Sequence, residues 1–277
     1  MGTVTPQLVK ELRERTGVGM AKCKQALDQT GGNLEDAIDF LRKSGAATAV
    51  KKGSRETNEG AIGFAENDSH IAFVEVNAET DFVTQNERFK EFLSTVAKSA
   101  LEAKASSVEE LGNASALGSG QTVEELRVDQ VQSMGENIVV KRVLLKEKKE
   151  NASYGLYSHM GGKIVCAAEI SNGADKETLA KDVAMHIAAE SPDFLTSDEI
   201  PADVRAREEE IAREQVKGKP ENIIDKIVEG KLRAYYEQVC LVDQKFVKDP
   251  AQKVSQVVKA AGSDLELTWF LRWQIGQ

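Results

Sequence analysis

Two stretches of this 277-residue chain, 59–100 and 152–191, follow the same plan, and that repetition constrains the fold more than any other feature. The first reads EGAIGFAENDSHIAFVEVNAETDFVTQNERFKEFLSTVAKSA, the second ASYGLYSHMGGKIVCAAEISNGADKETLAKDVAMHIAAES. In each, a short strand, a turn and a second strand (71–76 and 164–170) lead through a loop into an amphipathic helix. A further strand-like run closes each half, NIVVKRVLL at 137–145 and LELTWFLRW at 265–273. Val139, Lys141 and Val143 alternate in one, Leu267, Trp269 and Leu271 in the other, as a strand requires. A small sheet buries its apolar face only under a helix, so the expected class is α+β with two related sheet-plus-helix subdomains.

Each copy carries an insertion between its helix and its last strand. The first, ASSVEELGNASALGSGQTVEE (105–125), is rich in small residues and reads as mostly loop. The second, 201–239, reads as a helical hairpin turning at Gly218-Lys219-Pro220. Val204 and Ile211 stripe one arm, and Ile224, Ile227, Val228, Leu232 and Tyr235 the other, the pattern of a short antiparallel coiled coil.

Ahead of the repeat, the first fifty residues predict three short helices. Thr5-Pro6 is a cap with proline at the first helical position, Gly17 and Gly31-Gly32 are stops, and Asn33 starts the third. Three helices of this size resemble a ubiquitin-associated-type module. Residues 49–60, AVKKGSRETNEG, read as a linker. The expected organisation is a module at 1–53, a first subdomain at 54–148, and a second at 149–277 carrying its insertion at about 198–241.

Charge follows that division. Residues 1–55 hold ten Lys/Arg against six Asp/Glu, a net of +4 against −9 for the whole chain, which leaves −13 for the remainder. An acidic body argues against direct nucleic-acid binding, which wants a positive footprint. No apolar run approaches the ~20 residues of a membrane span, and the first residues lack a secretory apolar segment, so the expected location is the cytoplasm. Cys23, Cys166 and Cys240 are scattered without a C-x-x-C spacing and read as reduced, buried thiols.

Enzyme motifs are weak. In SALGSGQT (115–122) Ser115 replaces the first glycine of a phosphate loop and Gln121 its lysine. GVGMAK (17–22) starts like a dinucleotide fingerprint, but no strand precedes it. His186 and Glu190 stand four apart, a spacing that a metal accepts. With only His70 and His159 besides, a third ligand is hard to supply, which favours a partly buried helix histidine. No cofactor, metal site or catalytic group is expected. A protein that acts by binding is the leading class, with an adaptor built on the N-terminal module and an enzyme using His186 and Glu190 as the alternatives.

One stretch asks for a partner. In NAETDFVTQN (77–86), Thr84 and Glu87 form a T-x-x-E capping pattern, and Phe89, Phe92, Leu93, Val96 and Ala100 already supply the next helix with an apolar face. Phe82 lies outside that face. Phenylalanine is mostly buried, which favours a core role. The equivalent loop of the second copy, SNGADKETLA (171–180), has no aromatic residue, so the fold itself does not require one.

NAETDFVTQNERF closely resembles the T-D-F-V signature of the elongation factor Ts family, the nucleotide exchange factors of elongation factor Tu. The resemblance extends to LVKELRERTGVGMAKCKQAL (8–27), GENIVVKRV (135–143), AMHIAA (184–189) and GKPENIIDKIVEGKL (218–232). It implies that Thr80, Asp81, Phe82 and Val83 enter the GTPase domain of elongation factor Tu near its Mg²⁺ and phosphate site. Phe82 would wedge between helices there, and GDP would leave in exchange for GTP. It also implies contacts through Arg13, Met20, Met134, Gly135 and His159, within a heterodimer or a larger assembly. Two departures stand out: Ala21 occupies a place where the family often has a second methionine, and SHMGG (158–162) spaces its glycines differently around His159.

Overall fold

The computed structural model describes residues 3–277 and divides into two compact units. The first runs to Glu147 and takes in Gln274–Gln277, and the second spans Lys148–Trp273.

The first unit opens with α1 (Pro6–Thr16), α2 (Met20–Gln29) and α3 (Leu34–Lys52). The punctuation acts as read. The Thr5 hydroxyl accepts the Leu8 amide at 3.2 Å, Gly17 closes α1 in the left-handed region, and Asn33 accepts the amides of Glu35 and Asp36. Leu12, Cys23, Ala26, Leu27 and Ala37 are wholly buried between the three helices. However, α3 does not stop at the expected linker. It continues through Lys52, and Ala49 on its second half joins the core beneath the sheet. Alanine, lysine and valine at 49–52 have no helix-breaking chemistry, and contact with a neighbouring helix extends the run.

That sheet has three antiparallel strands, β1 (Glu59–Glu66), β2 (His70–Ala78) and β5 (Ile138–Glu147), with β2 in the middle. Between β2 and β5 come α4 (Asp81–Gln85), α5 (Glu87–Ala103), α6 (Val108–Asn113), β3 (Ser115–Ala116), β4 (Gln121–Thr122) and α7 (Val123–Met134). Ala72, Val74, Val76 and Ala78 pack with Phe89, Phe92, Val96 and Ala100 of α5. The first insertion is therefore not mostly loop. Its small polar residues are helix starts: Ser107 caps α6, and Thr122 with Glu125 forms a complete capping box on α7. Gly118 and Gly120, with Leu117, make the exposed tip between β3 and β4 where the phosphate-loop resemblance lay.

β5 also departs from strict alternation. A bulge opposite the Glu75–Val76 step leaves Lys141 without a β2 partner, so both Lys141 and Arg142 reach the buried Glu75, at 3.6 and 2.6 Å. The phase slips by one residue, and Val140 rather than Val139 faces the core.

The second unit repeats the topology. β6 (Ala152–His159) pairs with β7 (Ile164–Ser171), α8 (Glu177–Glu190) crosses them, and the last strand lies beside β7. Before that strand come α9 (Ala202–Gln215), α10 (Glu221–Val239), β8 (Lys245–Phe246), β9 (Asp249–Lys253) and α11 (Val254–Ala261); the strand itself is β10 (Glu266–Gln274). The core gathers Cys166, Ala168 and Ile170 of β7 with Ala180, Val183, Ala184 and Ile187 of α8. Gly155 permits this close crossing, because a Cβ there would fall on the backbone of Ala180 and Lys181. α9 and α10 form the helical hairpin, joined by Ala212, Val216 and Val228 with Ile224, Ile227 and Leu232 around them. Ile211 is 41% exposed and does not belong to the seam. The three cysteines are buried and free, and burial pushes the Cys166 thiol up to about 12.

Candidate functional site

The exit from β2 is the most unusual surface of the first unit. β2 ends at Ala78, and a single turn of helix, α4, follows before α5 begins. Thr84 does not cap α5 as the T-x-x-E pattern suggested. It lies inside α4, where its hydroxyl donates to the Asp81 carbonyl at 2.9 Å, and Asn86 caps α5 by accepting the Arg88 amide at 3.0 Å. An Asn at the true junction outcompetes the Thr two positions earlier, since both are good caps and only one sits where the helix starts.

Within α4 the side chains divide sharply. Val83 and Thr84 turn inward, and Val83 joins the core of α5 and the sheet. Asp81 and Phe82 turn outward, with Phe82 83% exposed, the most exposed large apolar side chain among the described residues. A phenylalanine in that position gains nothing from the fold of its own chain.

Two carboxylates hold the start of the turn. Glu136 accepts the Thr80 amide at 3.0 Å through Oε2 and the Thr80 hydroxyl at 2.7 Å through Oε1. Glu79 accepts the Asn137 amide at 2.6 Å and pairs with Arg55, and the Asn137 side chain donates to the Arg55 carbonyl at 3.0 Å. The Asn137 amide, helped by the Arg55 guanidinium, holds the Glu79 carboxyl below its ordinary value. The loop after β2 and the loop before β5 are thus cross-braced. Met134 ends α7, Gly135 closes it in the left-handed region, and the Lys52 ammonium donates to the Gly135 carbonyl. These bonds tie the turn carrying Thr80, Asp81, Phe82 and Val83 to the end of α7, where Met134 and Gly135 lie; the sequence placed the two groups separately. Glu136, Glu79 and Asn137 were not singled out; the run GENIVVKRV contained two of them.

Arg13 and Met20 lie on either side of the turn from α1 to α2. Arg13 is exposed, and Met20, the first residue of α2, is 55% exposed. The guanidinium of Arg88, from the first turn of α5, occupies the space beside Gly17 that a side chain would need. The module turn therefore meets the helix that follows the Phe82 turn.

His159 belongs to the second unit. It ends β6, exposed, with its Nδ1 3.1 Å from the Tyr157 hydroxyl and the two rings stacked. The adjoining Met160 is 71% exposed and has positive φ, as do Gly161 and Gly162 after it.

The His186 and Glu190 pair is not a metal centre. The Val247 amide donates to His186 Nδ1 at 3.1 Å, so Nε2 carries the proton and donates to Gln244 Oε1 at 3.0 Å. Both ring nitrogens are occupied, the ring is fully buried, and burial pushes its pKa down. No group of three or more metal-ligating side chains occurs among the described residues.

Comparison with known proteins finds relatives along the whole chain. The family model described as elongation factor TS matches residues 79–277. The elongation factor Ts of Protochlamydia amoebophila is 51% identical over 282 residues, covering the whole of both chains. Those of Chlamydia muridarum and Chlamydia caviae are each 42% identical over 281 residues, again end to end.

Proposed function

Because this chain belongs to the elongation factor Ts family, the nucleotide exchange factors of elongation factor Tu, we propose that it releases GDP from elongation factor Tu by driving the Asp81–Phe82 turn toward the Mg²⁺ and phosphate site. The observation that carries this reading is the 83% exposure of Phe82 on a turn whose next two residues are buried. Phe82 is the wedge, Asp81 lies beside it, and Thr80 and Val83 shape the turn. Arg13 and Met20 of the three-helix module (1–53), Met134 and Gly135 of the first subdomain (54–148), and His159 of the second (149–277) supply further contact. The hairpin is a short coiled coil whose arms project from the second subdomain. The factor acts by binding, in the cytoplasm, as a heterodimer or a larger assembly with its partner.

Exchange works by coupling: a protein that loosens GDP is itself loosened by GDP to the same factor. Burying one phenylalanine is worth about 1.5–3 kcal/mol, or roughly 10–150-fold. Tight nucleotide and Mg²⁺ binding exceeds that, so the remaining contacts provide binding energy and the Phe82 turn directs it at the metal site. The test is release of labelled GDP from elongation factor Tu with catalytic amounts of this chain. Acceleration supports the reading, and an unchanged rate even at molar excess overturns it.

A further inference from the structure

The geometry points to Glu136 as a positioning residue for exchange, one that fixes the direction in which the Asp81–Phe82 turn is presented. Phe82 has almost no packing of its own to orient it, so its direction is set by the ends of α4. The rear end is held by Val83 and Thr84 in the core. The front end is held by Glu136, whose two oxygens take the two donors of Thr80 across 56 residues of sequence. A carboxylate offers only acceptors, and Thr80 presents an N–H and an O–H, so the match is complete and charge-assisted. Thr80 is the cap residue of α4 but makes no side-chain cap bond; its hydroxyl is committed to Glu136 instead. The reciprocal bond from Asn137 to Glu79 prevents the two loops from sliding past each other. Met134 and Gly135 ride on the same loop, so a partner that grips them and Phe82 meets one braced piece.

This inference depends on the exchange reading for its consequence but not for its geometry, and the experiment separates the two. Glu136→Ala removes both bonds. Glu136→Gln keeps them in neutral form, because its oxygen accepts the Thr80 amide while the hydroxyl rotates to accept from its NH₂. In the free chain, hydrogen exchange at the Thr80 amide is expected to quicken by about tenfold or more in Glu136→Ala, the weight of one charge-assisted bond, and much less in Glu136→Gln. With the partner, maximal GDP release at saturating Glu136→Ala is expected to fall by about tenfold while the half-saturating concentration changes little, because most contacts lie elsewhere. Glu136→Gln is expected to recover most of the rate. Unchanged Thr80 exchange in Glu136→Ala overturns the inference, as does an unchanged maximal rate where the wild-type chain is active. A Glu136→Gln variant as slow as Glu136→Ala also overturns it, since that result makes the charge itself the contact. If the wild-type chain does not stimulate release, the exchange reading falls, and the Thr80 exchange rates still decide whether Glu136 holds the turn.

Discussion

Phe82 and Val83 are adjacent in one turn of helix and face opposite ways, the first 83% exposed and the second 9%. That contrast separates stability from function at a single step of the chain. Phe82→Ala should change unfolding free energy by no more than about 0.5 kcal/mol, as at surface sites generally. The same variant should slow GDP release from elongation factor Tu by about tenfold or more. Phe89→Ala, at a wholly buried ring, should instead cost about 3–5 kcal/mol. Asp81→Ala should resemble Phe82→Ala in milder form, since a carboxylate at a wet rim contributes less than a buried ring. The double variant should be less than additive because both residues serve one contact. Melting curves beside release assays check the set; a Phe82→Ala melt that falls as far as that of Phe89→Ala would defeat the wedge.

Gly155 and Gly230 make opposite predictions for the same substitution. Gly155→Ala forces α8 away from β6, because backbone occupies the space, and should destabilise by about 1–3 kcal/mol or more. Gly230 lies within α10 with nothing within 4 Å of an added Cβ, so Gly230→Ala should stabilise by about 0.5–1 kcal/mol through helix propensity. Denaturant titration of both variants reads the signs.

His186 links the second unit to pH. Burial lowers its folded pKa, so the unfolded chain protonates first, near 6.5, and draws the equilibrium toward unfolding. Stability from this residue should be full above about pH 6.5 and decline as pH falls from there toward the lowered folded value. Replacing it with glutamine keeps a hydrogen-bonding group beside Gln244 and should flatten that part of the stability profile, at some cost at neutral pH. An equally steep profile in His186→Gln would locate the titrating group elsewhere.

The hairpin should be separable from the fold beneath it. Its apolar cluster is its own, whereas the base of α10 is fastened: Phe194 donates to the Val239 carbonyl, and Glu237 pairs with Lys253. A version lacking residues 210–233, closed by a short polar turn, should keep a single cooperative melt. Loss of cooperativity would show that the outer turns support the sheet.

The sequence announced features that depend on near neighbours. Thr5, Asn33 and Gly17 act locally, and each delimits its helix as read. The repeat was legible because alternation and helical spacing are short-range patterns. Features set by distant contact were not. The bulge at Lys141 answers to Glu75, 66 positions earlier. The full length of α3 answers to α7, through Ser44, Gln132 and Ala49. In the site, comparing the two copies showed that the fold does not require an aromatic residue there, but the outward direction of Phe82 came only from the structure. The bond between Glu136 and Thr80 joins two loops that nothing in either loop announces.

Asn86 ends α4 and caps α5 with the same residue, so no slack separates the two helices. Mechanically, the Phe82 ring is mounted on a stiff stem. A load applied at the ring cannot be absorbed by a compliant loop; it passes through Asn86 into α5 and the sheet that α5 covers. Any force applied at the ring would thereby be carried by α5 and the sheet beneath it rather than by a yielding loop.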